Sequence, residues 1–149
     1  METVYLTGFY GVGKTMVGKA IASRKSLPYL DINDISDSIT QGMIVSINPL
    51  MLNDEENRHF IKRTGRVIYM RAKANTIMNN IKAYHKEIPM FSSDFTVFSV
   101  EKQLDIYKPY FEELQNYVMD IDGKSLKELI SEGLAIYNYI NKVKSHILI

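Results

Sequence analysis

"TVYLTGFYGVGKT", residues 3–15, is a β-branched and aromatic run followed at once by Gly8-x-x-x-x-Gly13-Lys14-Thr15. That spacing is the phosphate-binding loop, or Walker A, pattern. Each fixed residue has a physical job. Gly8 and Gly13 allow backbone conformations closed to residues with a Cβ, so that successive N–H groups turn inward onto phosphate oxygens at the start of a helix. Lys14 then reaches the β- and γ-phosphates, and the Thr15 hydroxyl ligates Mg²⁺. The flanks agree: Thr3 to Thr7 reads as a buried strand, while Val17, Ala20 and Ile21 fall on one helical face. Strand, loop and helix arrive in the required order. The nucleotide is expected on Gly8, Gly11, Val12, Gly13, Lys14, Thr15 and Met16, with the phosphates on residues 11–16.

The rest of the composition suits one soluble domain spanning 1–149. Hydrophobic residues make up 46% and charged residues 23%, and the net charge is +1. Such a balance gives no reason to expect nucleic acid or an anionic membrane as a partner. There are no cysteines, which excludes disulfides, thiolate catalysis and thiolate-bound zinc. The chain enters a strand directly, without a charged n-region or long apolar run, so the cytoplasm is the expected location.

Strand and helix patterns alternate to the end of the chain. Pro28 to Asp31, Met43 to Ile47, Arg66 to Met70 and Asn116 to Asp120 read as further strands. Asn53 is expected to cap a helix that starts with Asp54, Glu55 and Glu56, acids suited to the positive end of the dipole, and runs to about Arg63 before Gly65. Ile77, Met78 and Ile81 form a helical stripe. After the Asp122-Gly123 turn, Ser125-x-x-Glu128 is a capping box. It opens a last helix with Leu126, Leu129, Ile130, Leu134, Tyr137 and Ile140 at core spacing. The alternation implies an α/β fold, a parallel sheet with helices on both faces.

The layout and four phrases resemble the shikimate kinase family of nucleoside-monophosphate-kinase-like P-loop proteins. The phrases are "LTGFYGVGKTMVGKAIA" from Leu6, "LPYLDIND" from Leu27, "ENRHFIKRTGRVIYMRA" from Glu56, and "YKPYFEE" with "MDIDGKSLKEL" between Tyr107 and Leu129. The resemblance implies a three-layer P-loop kinase fold whose five-stranded parallel sheet runs in the order 2-3-1-4-5. It also implies an ATP·Mg²⁺ site, a lid at about 84–98, and γ-phosphoryl transfer to a small hydroxylated acid. Lys14 and Asp31 are the implied catalytic residues, and Thr15 and Asp31 the metal-side pair. Asp31 also stands at the carboxyl end of a strand, where open α/β sheets place ligands. Its competing reading is a cap for the next helix.

Departures from the family cluster on the acceptor side. The family's Asp-x-Asp is here Asp31-Ile32-Asn33, with Asp34 one residue on as a substitute acid. The family's acceptor-binding helical segment, with its carboxylate-clamping arginine, is cut down to about 33–43, where Gln41-Gly42 leads straight into the next strand. Its glycine run after the third strand is replaced by Ile47-Asn48-Pro49, and proline lacks an N–H donor. Its second carboxylate-binding arginine falls at Tyr107, which offers no charged fork. In the lid the family arginine before Pro-Leu is replaced by Ile88-Pro89-Met90, with Lys82, His85 and Lys86 nearby. Arg58 reads as a solvated helix charge, and His59 and His146 as surface residues.

Three functions remain open. One is an ATP-dependent small-molecule kinase with an altered acceptor site; the second is a non-catalytic nucleotide-binding protein with a regulatory or partner-binding role; the third is a structural remnant. The intact Lys14, Thr15 and Asp31 set argues against the last. No acceptor can be named from the residues.

Overall fold

Thr3–Thr7 forms strand β1, buried at all five positions. A strand covered on both faces needs no polar alternation, and its one-sided reading as an apolar run follows from that. The computed structural model describes residues 2–35, 38–84 and 96–147, and at Tyr84 and 143–147 the backbone alone. Around β1 lie β2 (Tyr29–Ile32), β3 (Ile44–Ile47), β4 (Gly65–Arg71) and β5 (Tyr117–Asp120). They form one parallel sheet in the order β2-β3-β1-β4-β5, the order the resemblance implied.

The helices are α1 (Lys14–Lys25), α2 (Glu55–Thr64), α3 (Ala74–Tyr84), α4 (Val97–Leu114) and α5 (Leu126–Ile147). From β1 the path runs outward to β2 and then turns back across the sheet, so right-handed crossovers put α1 on one face and α2, α3 and α4 on the other. Accordingly α1 packs with α5, while α2 and α3 pack with α4. All five strands point their carboxyl ends toward the same edge, and the loops there carry the candidate site.

The connection from β2 to β3 contains no helix among its described residues. It is tied instead to β1: the Thr3 hydroxyl donates to the Thr40 carbonyl at 2.8 Å and accepts from the Gly42 N–H at 3.1 Å. Right-handedness places this connection on the α2 face, and Ile35 shares a groove there with Asn57, His59 and Phe60 of α2.

Several local expectations are corrected. Asp54, not Asn53, caps α2, accepting from the Glu56 N–H at 2.9 Å. Asn53 ends a 3₁₀ turn, Pro49–Asn53, that Asn48 caps through the Leu50 N–H. Gly65 adopts an extended φ of −170° and begins β4 directly. A Cβ there would collide with the Thr3 carbonyl, so close strand approach explains this glycine. Asn116 precedes β5 and completes the edge of β4, accepting from the Val67 N–H and donating to the Val67 carbonyl. Helix α4 is the largest addition. It is opened by a reciprocal Thr96–Ser99 cap and continues through Pro109, whose ring faces out of the helix at an exposed position.

Arg58 is not a solvated charge. Its side chain is 13% exposed, and Nη1 donates to the Leu52 carbonyl at 2.7 Å. Nε pairs with Glu113 at 3.2 Å, and the guanidinium lies 4.4 Å from the centre of the Tyr110 ring. Packing of α2 against α4 draws it inward, because its methylene stem can be buried while the planar head stacks. By contrast His59 is exposed and 3.6 Å from Glu55, one helical turn back. His146 lies beyond the described side chains.

Candidate nucleotide and acceptor site

The loop between β1 and α1 is built on three glycines with positive φ: Gly8 at 141°, Gly11 at 80° and Gly13 at 95°. Each has its own requirement. A Cβ on Gly8 would sit 2.5 Å from the Met70 carbonyl oxygen. On Gly11 it would press on Ile81 and on the Ile77 carbonyl, because α3 packs against the loop. Gly13 faces open space, and there only its left-handed backbone forbids a side chain. A second brace comes from Asn80 of α3, whose amide donates to the Gly11 carbonyl at 2.7 Å. The sequence reading passed over Asn80, although its place beside Ile77 and Ile81 puts it on the buried side of α3.

Helix α1 opens at this loop. Its first bond runs from the Val17 N–H to the Gly13 carbonyl, so the N–H groups of Lys14, Thr15 and Met16 precede the helical ladder. Such N–H groups favour anions. Val12 is buried, leaving its backbone as its contribution, and Met16 is about half exposed in the first turn. The Lys14 ammonium folds over the loop and donates to the Gly8 and Phe9 carbonyls, both at 2.7 Å. Tyr29 covers Gly18 with its ring, and its hydroxyl donates to Ser46, which donates to the Lys14 carbonyl. The start of α1 is thus tied to β2 and β3.

Thr15 and Asp31 come together: the Thr15 hydroxyl donates to Asp31 Oδ2 at 3.0 Å, in an exposed position. The capping alternative for Asp31 finds no support, since the described element that follows β2 is β3. A hydroxyl and a carboxylate beside a phosphate cradle are hard oxygen donors. They fit Mg²⁺, which keeps several waters and takes few protein ligands.

On the far side of Asp31 the predicted acceptor residues part company. Asp34 turns back on its own chain and accepts from the Ile35 N–H at 2.8 Å. Asn33 accepts instead from the Asn48 amide at 2.7 Å. Asn48 in turn accepts from the Tyr10 hydroxyl at 2.8 Å. Burial raises the Tyr10 pKa above the ordinary phenol value, with Tyr107 adding to the shift and the bond to Asn48 opposing it. Tyr107, at the place of the family arginine, is buried against Phe9 and Phe111, and Asn53 donates to its hydroxyl at 2.9 Å. It packs as part of the core. Of the residues expected to serve a lid, Lys82 is exposed in the last turn of α3. Lys86 and residues 85–95 lie outside the described residues, and 96–98 cap and begin α4.

The family model for shikimate kinase matches residues 33–137, more than two thirds of the chain. The match starts after the phosphate loop, so it does not rest on a motif shared by all P-loop proteins. The chain belongs to the shikimate kinase family. Shikimate kinases of Bacillus cereus and Ralstonia nicotianae are 24% and 22% identical to it, covering 89% and 88% of this chain and 96% and 84% of theirs. Among solved structures, shikimate kinase from Acinetobacter baumannii in complex with shikimate superposes with a TM-score of 0.81 at 17% identity, covering 97% of this chain and 95% of that one. A gluconokinase from Sinorhizobium meliloti gives 0.69 at 14% identity, covering 97% and 96%. At these identities the superpositions speak to the fold. The family consists of phosphotransferases that use ATP, generally with Mg²⁺, and no described helix is long and apolar enough to cross a membrane.

Proposed function

We propose that this chain is an ATP-dependent small-molecule phosphotransferase that keeps the nucleotide half of the shikimate kinase site and has lost the shikimate half. The observation that carries the reading is the meeting of Thr15 and Asp31 at 3.0 Å beside three left-handed glycines. Lys14, Thr15 and the first N–H groups of α1 would hold the phosphates, and Thr15 with Asp31 would hold Mg²⁺. The ion would neutralise charge on the transferred group. In the transfer, an acceptor hydroxyl oxygen bonds to the γ-phosphorus as the bond to the ADP oxygen breaks, and the hydroxyl proton leaves to solvent. Catalysis of this kind is largely positioning and charge stabilisation. Loss of the shikimate half is supported at four places: Asn33, the short 33–43 connection, Asn48-Pro49, and the buried Tyr107. We place the lid at about 84–98 and the activity in the cytoplasm.

The nucleotide half is tested by calorimetric titration with Mg²⁺-ADP. Lys14→Ala removes a charged contact to the phosphates, costing about 1.5–3 kcal/mol, or roughly ten- to a hundredfold in affinity. Equal affinity in the two proteins contradicts the assignment.

A further inference from the structure

The acceptor side is rebuilt rather than emptied. Three loops leaving β1, β2 and β3 each contribute one side chain to a continuous uncharged row, Tyr10–Asn48–Asn33. Asn33 follows Asp31 by two positions, so the row begins beside the Thr15–Asp31 pair and runs along the carboxyl edge of the sheet. Its hydrogen-bonding capacity is only partly spent. Asn33 is exposed, and among the described residues its amide nitrogen has no protein acceptor. Lone pairs remain on Asn33 Oδ1 and on the Tyr10 oxygen, which donates its proton to Asn48.

Among the described residues no arginine is left over to face the row. The chain has five arginines. Arg24 and Arg63 sit in the last turns of α1 and α2, and Arg66 near the start of β4, all at the opposite edge of the sheet. The two on the near side are committed. Arg58 is held by Glu113 and the Leu52 carbonyl, and Arg71 by both oxygens of Asp120 at 2.7 and 3.1 Å. A carboxylate only accepts hydrogen bonds and is costly to desolvate without an opposing charge. A hydroxyl both donates and accepts, which is what a row of amides and a phenol offers.

We propose that the Tyr10–Asn48–Asn33 row is the acceptor subsite, and that it takes a neutral polyhydroxylated compound, a sugar or polyol, in preference to a hydroxy acid. This rests on the nucleotide reading above and names the substrate class of the same site. Asn33 and Asn48 read neighbouring hydroxyls of the bound compound, and Tyr10 couples that reading to the phosphate loop in which it lies. Specificity arises from the absence of an arginine fork at the row as much as from the amides.

The test uses the full ¹⁵N-labelled chain saturated with Mg²⁺-ADP, following the side-chain amide signals of Asn33 and Asn48 during titration. The probes are myo-inositol and D-ribose in one arm and shikimate and D-gluconate in the other. A neutral probe is expected to shift both amides, and the acids to leave them in place. In Asn33→Ala, at an exposed position that folding tolerates, affinity for the neutral probe falls about tenfold while ADP affinity is kept. Stronger shifts from an acid, no shift from either neutral probe, or undiminished polyol affinity in Asn33→Ala overturns the proposal. ADP affinity measured on the same samples separates the two claims. Its absence refutes the nucleotide reading, whereas its presence without a polyol response refutes the row alone.

Discussion

Replacing Arg58 by alanine should destabilise the fold far more than a change at a surface charge. Three contacts are lost together. The hydrogen bond to the Leu52 carbonyl involves a charged donor and contributes about 1.5–3 kcal/mol. Stacking on Tyr110 at 4.4 Å adds about 0.5–2 kcal/mol. The ion pair adds little, about 0–1 kcal/mol, because the Glu113 side chain is 42% exposed and its charge is screened. One group makes all three contacts and water can reach part of the vacated space, so the total falls short of the sum, at roughly 2–4 kcal/mol. For a chain of this size that is about 5–15 °C in Tm. Urea unfolding with an unchanged slope measures it, and Glu113→Ala is the control, expected within about 1 kcal/mol of wild type. A loss under about 0.5 kcal/mol in Arg58→Ala, equal to the control, would return Arg58 to the solvent and refute the clasp. The consequence reaches the site, because Arg58 and Asn57 grip the carbonyls of Leu52 and Met51 in the 3₁₀ turn that Asn48 opens.

Two further outcomes follow from the same geometry. Asp31→Asn removes the anionic oxygen beside Thr15, so the Mg²⁺ concentration needed for half-maximal ADP binding should rise about tenfold, the effect of losing roughly 1.4 kcal/mol; an unchanged requirement would leave Asp31 a mere strand-end carboxylate. Asp120 is held below the usual carboxylate range, chiefly by its hydrogen bonds to Arg71. A lowered folded-state pKa stabilises above the unfolded value of about 3.9 and loses that contribution as pH falls from there through the folded value. The stability gap between wild type and Asp120→Asn should therefore be constant from pH 7 to about 5 and close at lower pH; a gap that widens on acidification would contradict the pairing.

The phosphate loop was legible because its chemistry is local: glycine φ, a lysine and a hydroxyl at fixed spacing make sense without neighbours. Strand order came from the family resemblance and agrees with the sheet observed. What escaped the sequence depends on contacts between distant segments. Helix α4 was not read from the sequence, where its Tyr107 to Glu113 stretch served only as a family phrase, although Val100, Tyr107, Phe111 and Leu114 keep helical spacing and are all buried. Arg58 looked like any helix cation until α4 was laid beside α2. Asn53 and Asp54 are both good caps, and the preceding 3₁₀ turn decides between them by using Asn53 as its own last residue. On the acceptor side, the substitutions at Asn33 and Asn48 read as losses when taken singly. Their mutual hydrogen bond, across fifteen residues of chain, gives them a shared role.

Turnover of shikimate, measured by coupled ADP release at millimolar shikimate and saturating Mg²⁺-ATP, tests the central claim most directly. On the proposed reading, each charged contact to a carboxylate that has been lost costs about 2–5 kcal/mol where the partner charge is left unpaired, and about 1.4 kcal/mol is tenfold in rate. The account predicts a rate indistinguishable from background in a protein that binds Mg²⁺-ADP and loses that binding in Lys14→Ala. Several turnovers per second would contradict it, and would mean that a cation outside Tyr10, Asn33, Asn48 and Tyr107 grips the acid.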